Sequence, residues 1–226
     1  MWLNIWRSVK INHQSTTLFF QFLLELQIET CSTLPVDDRT KRIIDIAIDL
    51  AERDGFAAVR LRDVAAQADV ALGTVYRRFR SKEDILVAAL ERESNKLQLR
   101  LSKRPIQGNS STERVATFFG LATKGLVRKP NLAKAIIRAM ASGDSESAEK
   151  ISSFHAIMTD LITAAMHGKT SSKKPAEAEN TLDTERAFLL QQIWFAALVG
   201  WAGGLHSEKA IEKKMARAST LLLGSV

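Results

Sequence analysis

Apolar side chains recur along this chain three and four residues apart, and no useful stretch alternates apolar and polar positions singly. That period belongs to helices packed by one face. From Asp37 or Asp38 to about Arg53 it predicts a helix with Ile43, Ile44, Ala47, Ile48 and Ala51 inward. A long helix follows from Ser81, a plausible N-cap, burying Ile85, Leu86, Ala89 and Leu90. Residues 102–111 form a linker in which Pro105 and Gly108 stop regular structure. Ser110 and Glu113 have capping-box spacing and open a helix with Val115, Phe118, Phe119 and Ala122. Pro130 ends it and starts another through Met140, and residues 142–145 make a break. The stripe of Ile151, Phe154, Ile157, Met158, Leu161 and Ala165 predicts a further helix, followed by a polar loop over 168–180 that carries Lys173 and Lys174. Two last helices, about 183–204 and 207–223, part near Gly203 and Gly204.

Between the first helix and Ser81 the pattern shortens. Val64, Ala65 and Ala68 face inward on one short helix, Val70 sits in a turn, and Val75 and Phe79 line the inner side of a second. Small alanines let two such helices cross closely, as a helix-turn-helix requires. The outer face of the second carries Thr74, Tyr76, Arg77 and Arg78, hydroxyl and guanidinium groups suited to phosphates and base edges.

Charge sharpens this picture locally. The whole chain has a formal net charge of +7 over 226 residues, a weak pointer to an acidic partner. Residues 60–82, however, hold Arg60, Arg62, Arg77, Arg78, Arg80 and Lys82 against Asp63 and Asp69, whereas residues 37–59 are net acidic. A positive strip over one compact motif is the footprint expected on a DNA duplex.

Gly55-Phe56, Val64-Ala65, Ala68, Val70, the string from Gly73 to Tyr76, Phe79, Ser81-Lys82 and Leu86 together resemble the N-terminal domain of the TetR family of transcriptional regulators. The resemblance covers roughly residues 38–87. It implies an all-helical, dimeric, usually repressive regulator with a variable C-terminal ligand domain. It makes residues 71–78 the recognition helix, so that Ala71, Leu72, Gly73, Thr74, Tyr76, Arg77 and Arg78 face DNA, and it sets Lys82 at a backbone phosphate beside a helix N-terminus. There are two departures. Val59, Arg60 and Leu61 stand where many members have a capping Ser or Thr, leaving Arg60 or Arg62 to supply the phosphate contact. Asp69 replaces the usual turn glycine, and Asp is among the few residues that tolerate left-handed geometry.

The expected fold class is therefore all-α: an N-terminal three-helix helix-turn-helix domain plus a C-terminal helical ligand-binding and dimerisation domain. The expected boundaries are 1–36 for an N-terminal extension, 37–87 for the DNA-binding domain and 88–226 for the effector-binding and dimerisation domain. Phe188, Trp201, Ile211, Met215 and Leu222 are assigned to a two-fold helical interface, since the last two helices carry more apolar surface than one flank of a small bundle needs. Phe118, Phe119, Met140, Phe154, Met158, Leu161, Trp194 and Leu198 are either ordinary core or, as the resemblance favours, the lining of an apolar cavity for a hydrophobic small-molecule effector. Arg128, Lys129, Lys134 and Arg138 either meet an anionic head group or are simply solvated.

A narrower resemblance, through Arg128 to Leu132, Arg138-Ala139, Asp144, Ala148, Ile193-Trp194, Trp201 and the run from Leu221 to Gly224, is to actinobacterial repressors of cholesterol-catabolism genes. It implies control of a lipid or steroid degradation operon, released by an intermediate such as a coenzyme A thioester. The alternative is a regulator of a transporter or efflux operon that senses a drug-like or other metabolite.

Little speaks for an enzyme. His13, His155, His167 and His206 are scattered without metal-ligand spacing, Cys31 is the single cysteine, and no phosphate-cradling glycine loop or nucleophile elbow occurs. No cofactor is expected. The partners expected are a double-stranded DNA operator, the effector and a second copy of the chain, with no membrane. Residues 1–36 contain an apolar run from Leu18 to Ile28, broken by Gln21, Glu25 and Gln27, which is too short to span a bilayer and fits a signal peptide poorly. Two readings stay open for it: an extra helix packing on the DNA domain or a partner, or a start placed too early, with the natural chain opening nearer Pro35. With no other targeting signal, a cytoplasmic protein is expected.

Overall fold

A computed structural model describes residues 38–142, 147–170 and 181–224. The N-terminal extension with Cys31, most of the break at 142–145 and the loop carrying Lys173 and Lys174 lie outside the described residues. Among the described residues all regular structure is helical: α1 (Asp38–Asp54), a 3-10 turn (Phe56–Ala58), α2 (Leu61–Gln67), α3 (Leu72–Arg78), α4 (Lys82–Leu101), α5 (Ser111–Val127), α6 (Pro130–Ala141), α7 (Ala148–His167), α8 (Thr181–Ala202) and α9 (Glu208–Leu223).

The ends of these helices follow local chemistry. The Ser81 hydroxyl accepts the Asp84 N–H at 3.0 Å and starts α4. The Ser110 hydroxyl accepts the Glu113 N–H at 3.1 Å, while the Glu113 carboxylate accepts the Asn109 N–H at 2.8 Å. The reciprocal bond thus lands one residue earlier than in a capping box. Pro130 occupies the first turn of α6, where its missing N–H has no helical acceptor to lose. In the turn between α2 and α3, Asp69 has φ 52°, the left-handed geometry expected of it.

The described residues from Arg42 onward form one compact unit. α2 crosses α3, and α1 is tied to α4 by the Arg92–Asp45 ion pair at 2.8 Å. Behind them α4 packs on α6 and α7, α7 on α5 and α8, and α9 on both α5 and α8. One continuous apolar cluster runs from Ile43 and Val75 through Leu86 and Phe118 to Leu190 and Met215. Each such large side chain contributes about 1.5–3 kcal/mol by leaving water. Arg114 of α5 fastens the linker to the end of α7: its guanidinium donates to the Gly108 and Ala165 carbonyls at 3.1 and 2.8 Å, and to Met166 O. Gly108 has φ 159°, and a Cβ there would come within 2.8 Å of the Arg114 side chain.

This packing corrects part of the expected interface. Ile211 and Met215 are fully buried within the chain, on the side of α9 that lies against α5, so they complete the monomer core and are not available to a second copy. Phe188 stays exposed, and Trp201 and Leu222 are half-buried. The outer side of α8 adds Leu182, Leu189, Ile193 and Val199 to the exposed apolar surface.

Candidate nucleic-acid interface and apolar cavity

α3 is built as a two-faced helix. Val75 and, at its end, Phe79 are buried, which turns Gly73, Tyr76, Arg77 and Arg78 to solvent and leaves Leu72 and Thr74 half-covered. Ala71 precedes the helix in extended conformation, and its carbonyl accepts the Thr74 N–H at 2.8 Å. The Arg77 guanidinium donates to the Thr74 hydroxyl at 3.5 Å, holding the two side chains together on the outer face.

Beside α3 an open notch is lined by Arg60, Arg62, Asp63, Tyr76 and Lys82, together with Val59 and Leu61. Arg60 stands at the N-cap of α2 without a side-chain cap, as its replacement of Ser or Thr implies. Lys82, at the start of α4, places its ammonium 4.0 Å from the centre of the Phe56 ring. The notch therefore gathers three cations and a phenol, the donors that a DNA backbone needs.

The second feature lies between α4, α5, α6, α7 and α8. Five of the eight residues expected at a cavity line one: Met140, Phe154, Met158, Trp194 and Leu198. Phe118, Phe119 and Leu161 are instead packed into the core, with the Phe119 ring 5.6 Å from that of Trp194. Pattern reading missed Leu90 of α4 and Leu126 of α5, both at helical spacing but without a large soft side chain to single them out. It also missed the α6 pair Ile136 and Ile137, and Phe195. The space encloses about 410 Å³ including its open mouth, yet its free interior is narrow, room for about two waters.

Besides Trp194, two polar side chains border the cavity, and they are paired with each other. His155 Nδ1 and Gln191 Oε1 are 2.9 Å apart, and the Gln191 amide donates to the Thr159 hydroxyl at 2.9 Å. The Trp194 indole N–H donates to the Thr123 hydroxyl, also at 2.9 Å. The wall thus presents hydrocarbon. None of the four cations considered for a head group lines it: Arg128, Lys129, Lys134 and Arg138 are exposed, Lys134 lies 5.8 Å from the Trp201 ring centre, and Arg138 4.5 Å from that of Phe56. His206 bonds its own Leu205 carbonyl and receives Lys214. On α4 the half-buried Glu91 carboxyl is raised above the usual carboxylate range, chiefly by burial, with Glu149 adding to the rise and Lys150 opposing it.

No helix among the described residues is long and apolar enough to cross a membrane. The sequence matches the family described as bacterial regulatory proteins, tetR family, over residues 43–89, and the tetracyclin repressor-like C-terminal domain over residues 108–222. It is 30% identical over 188 residues to the HTH-type transcriptional repressor KstR of Mycolicibacterium smegmatis, a match that covers 83% of this chain and 88% of that protein. To KstR of Rhodococcus jostii it is 32% identical over 187 residues, covering 83% and 84%. The crystal structure of a TetR transcriptional regulator from Rhodococcus sp. RHA1, 27% identical, superposes with a TM-score of 0.71 over 83% of this chain and 97% of that one. Each of these relatives is a transcriptional repressor or regulator by name. The chain belongs to the TetR family of transcriptional regulators, and α2 with α3 is its helix-turn-helix.

Proposed function

We propose that the protein is a dimeric, cytoplasmic repressor that leaves a palindromic operator when a hydrophobic small molecule enters the cavity between α4 and α8. The observation that carries this reading is the double duty of α4. Its first residue, Lys82, borders the cationic notch, and Leu90, two turns on, borders the cavity. A ligand larger than the present narrow space can enter only by spreading the cavity walls, so occupancy and the position of α4 are linked. The ligand acts through its preference for the spread state. Two recognition helices must stand on the order of 34–36 Å apart to enter successive major grooves, so a modest shift of α4 in each protomer suffices to spoil the fit.

In this reading residues 37–87 contact DNA and residues 88–226 sense ligand and dimerise. Arg60, Arg62, Tyr76 and Lys82 hold phosphates, and Thr74 and Arg77 read base edges. The exposed side of α8, with Phe188, Leu189 and Ile193, meets a second copy. A wall made almost wholly of hydrocarbon suits the body of a lipid or steroid, with any charged portion, such as a coenzyme A group, left outside the mouth. The similarity to the repressors named KstR supports repression, and the resemblance of the C-terminal half to repressors of cholesterol-catabolism genes supports a catabolic operon of that kind.

The test is to incubate the purified protein with fragmented genomic DNA of its own source and sequence what it retains. A shared palindrome upstream of lipid or steroid degradation genes supports the whole reading. A palindrome beside transporter genes keeps the regulator and replaces the effector class. No enrichment above salt-sensitive background refutes sequence-specific binding.

A further inference from the structure

The end of α1 is shaped to deliver one aromatic ring. Gly55, with φ 77° and ψ −172°, turns the chain through a backbone region essentially confined to glycine, and Phe56 follows at once in the 3-10 turn. The half-buried Phe56 ring carries two cations from distant parts of the sequence: the Lys82 ammonium 4.0 Å from its centre and the Arg138 guanidinium at 4.5 Å. Both distances are within the reach of a cation–π interaction. The turn also packs on α6, and α6 is bolted to α1 from its other end. The Glu52 carboxylate accepts the Leu132 N–H at 3.1 Å, and the Asn131 side chain donates to the Glu52 carbonyl at 2.9 Å. α6 contributes Ile136, Ile137 and Met140 to the cavity wall.

We propose that Phe56 is a positioning residue for DNA binding: its ring, held from α6 by Arg138, keeps the Lys82 ammonium at the edge of the cationic notch. The inference rests on Lys82 meeting a DNA phosphate, as set out above. A lysine has a long flexible stem, and a free one loses rotamer freedom each time it docks. Seated on a ring that is itself gripped by α6, Lys82 is placed before DNA arrives. Its remaining N–H groups stay open to an oxygen. Because α6 is also a cavity wall, movement of that wall shifts the ring and the lysine with it, a route to the notch separate from α4.

The experiment is a double-mutant cycle on the full-length protein. Binding to a fluorescein-labelled mixed-sequence DNA duplex at low salt is measured by anisotropy for Phe56→Leu, Lys82→Ala and the pair. The expected result is about threefold weaker binding for Phe56→Leu in the native background and no further loss in the Lys82→Ala background. Phe56→Tyr, which keeps the ring face, should bind as the native protein does. Replacing Phe56 by trifluorophenylalanine preserves shape while draining the ring's negative face. It should reproduce the loss even if the leucine variant folds poorly. Equal losses in both backgrounds would mean that Phe56 merely supports the fold and would overturn the proposal, as would unchanged or tighter binding by the trifluoro variant. If Lys82→Ala itself changes neither affinity nor salt dependence, the phosphate role of Lys82 fails and the positioning role falls with it.

Discussion

Lys150 on α7 donates to Asp84 on α4, and the same carboxylate accepts the backbone N–H of Arg80 at 3.1 Å through its other oxygen. Asp84 is only 3% exposed. A residue four positions before the cavity-lining Phe154 is thus connected, through one buried carboxylate, to the segment that joins the recognition helix to α4. Removing Lys150 leaves that carboxylate buried without its cation, which costs about 3–5 kcal/mol in a fully buried pair. Lys150 itself keeps 29% exposure, so Lys150→Met should cost about 2–3 kcal/mol in urea denaturation, below that range. Asp84→Asn, which keeps an acceptor for Arg80, should be milder. Equal stability of the native and Lys150→Met proteins would show the pair to be idle.

Glu91, two turns further along α4, gives a pH dependence of opposite sign to that of a paired carboxylate. Its folded pKa is raised by burial, so the folded state binds the proton more tightly than the unfolded chain. Ionised Glu91 therefore costs stability above its folded pKa, and the cost is relieved as pH falls and is gone below the ordinary carboxylate value. Glu91→Gln should raise the Tm near neutral pH and lose that advantage by about pH 4. A constant difference in Tm across that range would contradict the burial of this carboxyl.

The Trp194 indole bridges α8 to the Thr123 hydroxyl of α5 with both groups buried. Thr123→Val removes the acceptor at nearly constant volume and leaves a buried N–H unpaired, at about 1–3 kcal/mol. Thr123→Ser keeps the acceptor and should cost less than half of that by thermal denaturation.

On the DNA side, Tyr76→Phe and Lys82→Ala should weaken binding to all duplexes alike, each losing a phosphate contact. Thr74→Ala and Arg77→Ala should instead relax sequence preference. Competition binding of each variant against a panel of single-base operator variants separates the two classes. Identical profiles for all four would mean that the outer face of α3 is oriented wrongly in the proposed complex.

The pair Phe188→Glu and Ile193→Glu tests the dimer. Both side chains are exposed in the single chain, so the fold should lose little, about 0.5 kcal/mol or less. Sedimentation equilibrium should show a monomer, with tight palindrome binding lost. A dimer that survives both charges would move the interface elsewhere.

Local chemistry is legible in the sequence. The Ser81 and Ser110 caps, Pro130 at a helix start and the left-handed Asp69 all depend on groups within about four residues, and each stands as expected. The cavity was half legible. Met140, Phe154, Met158, Trp194 and Leu198 were picked out by size and softness, which Phe118 and Phe119 share while filling the core behind them. The His155–Gln191–Thr159 chain and the Phe56 stack were not legible. Gln191 lies more than thirty residues from His155 and Thr159, and Arg138 lies farther still from Phe56; nothing in a helical period says which residue of another helix a side chain will meet.

The sequence determined the helices, the helix-turn-helix and the sign of charge on its outer face, because periodicity, capping and charge are properties of neighbours along the chain. Tertiary structure decided which apolar stripe each helix spends on its own core. Ile211 and Met215 look in sequence like Phe188, yet α9 turns them against α5 while α8 leaves Phe188 in solvent. An amphipathic stripe demands burial, but packing chooses the surface that supplies it. That choice alone separates core from interface and places the Lys82 ammonium over an aromatic ring.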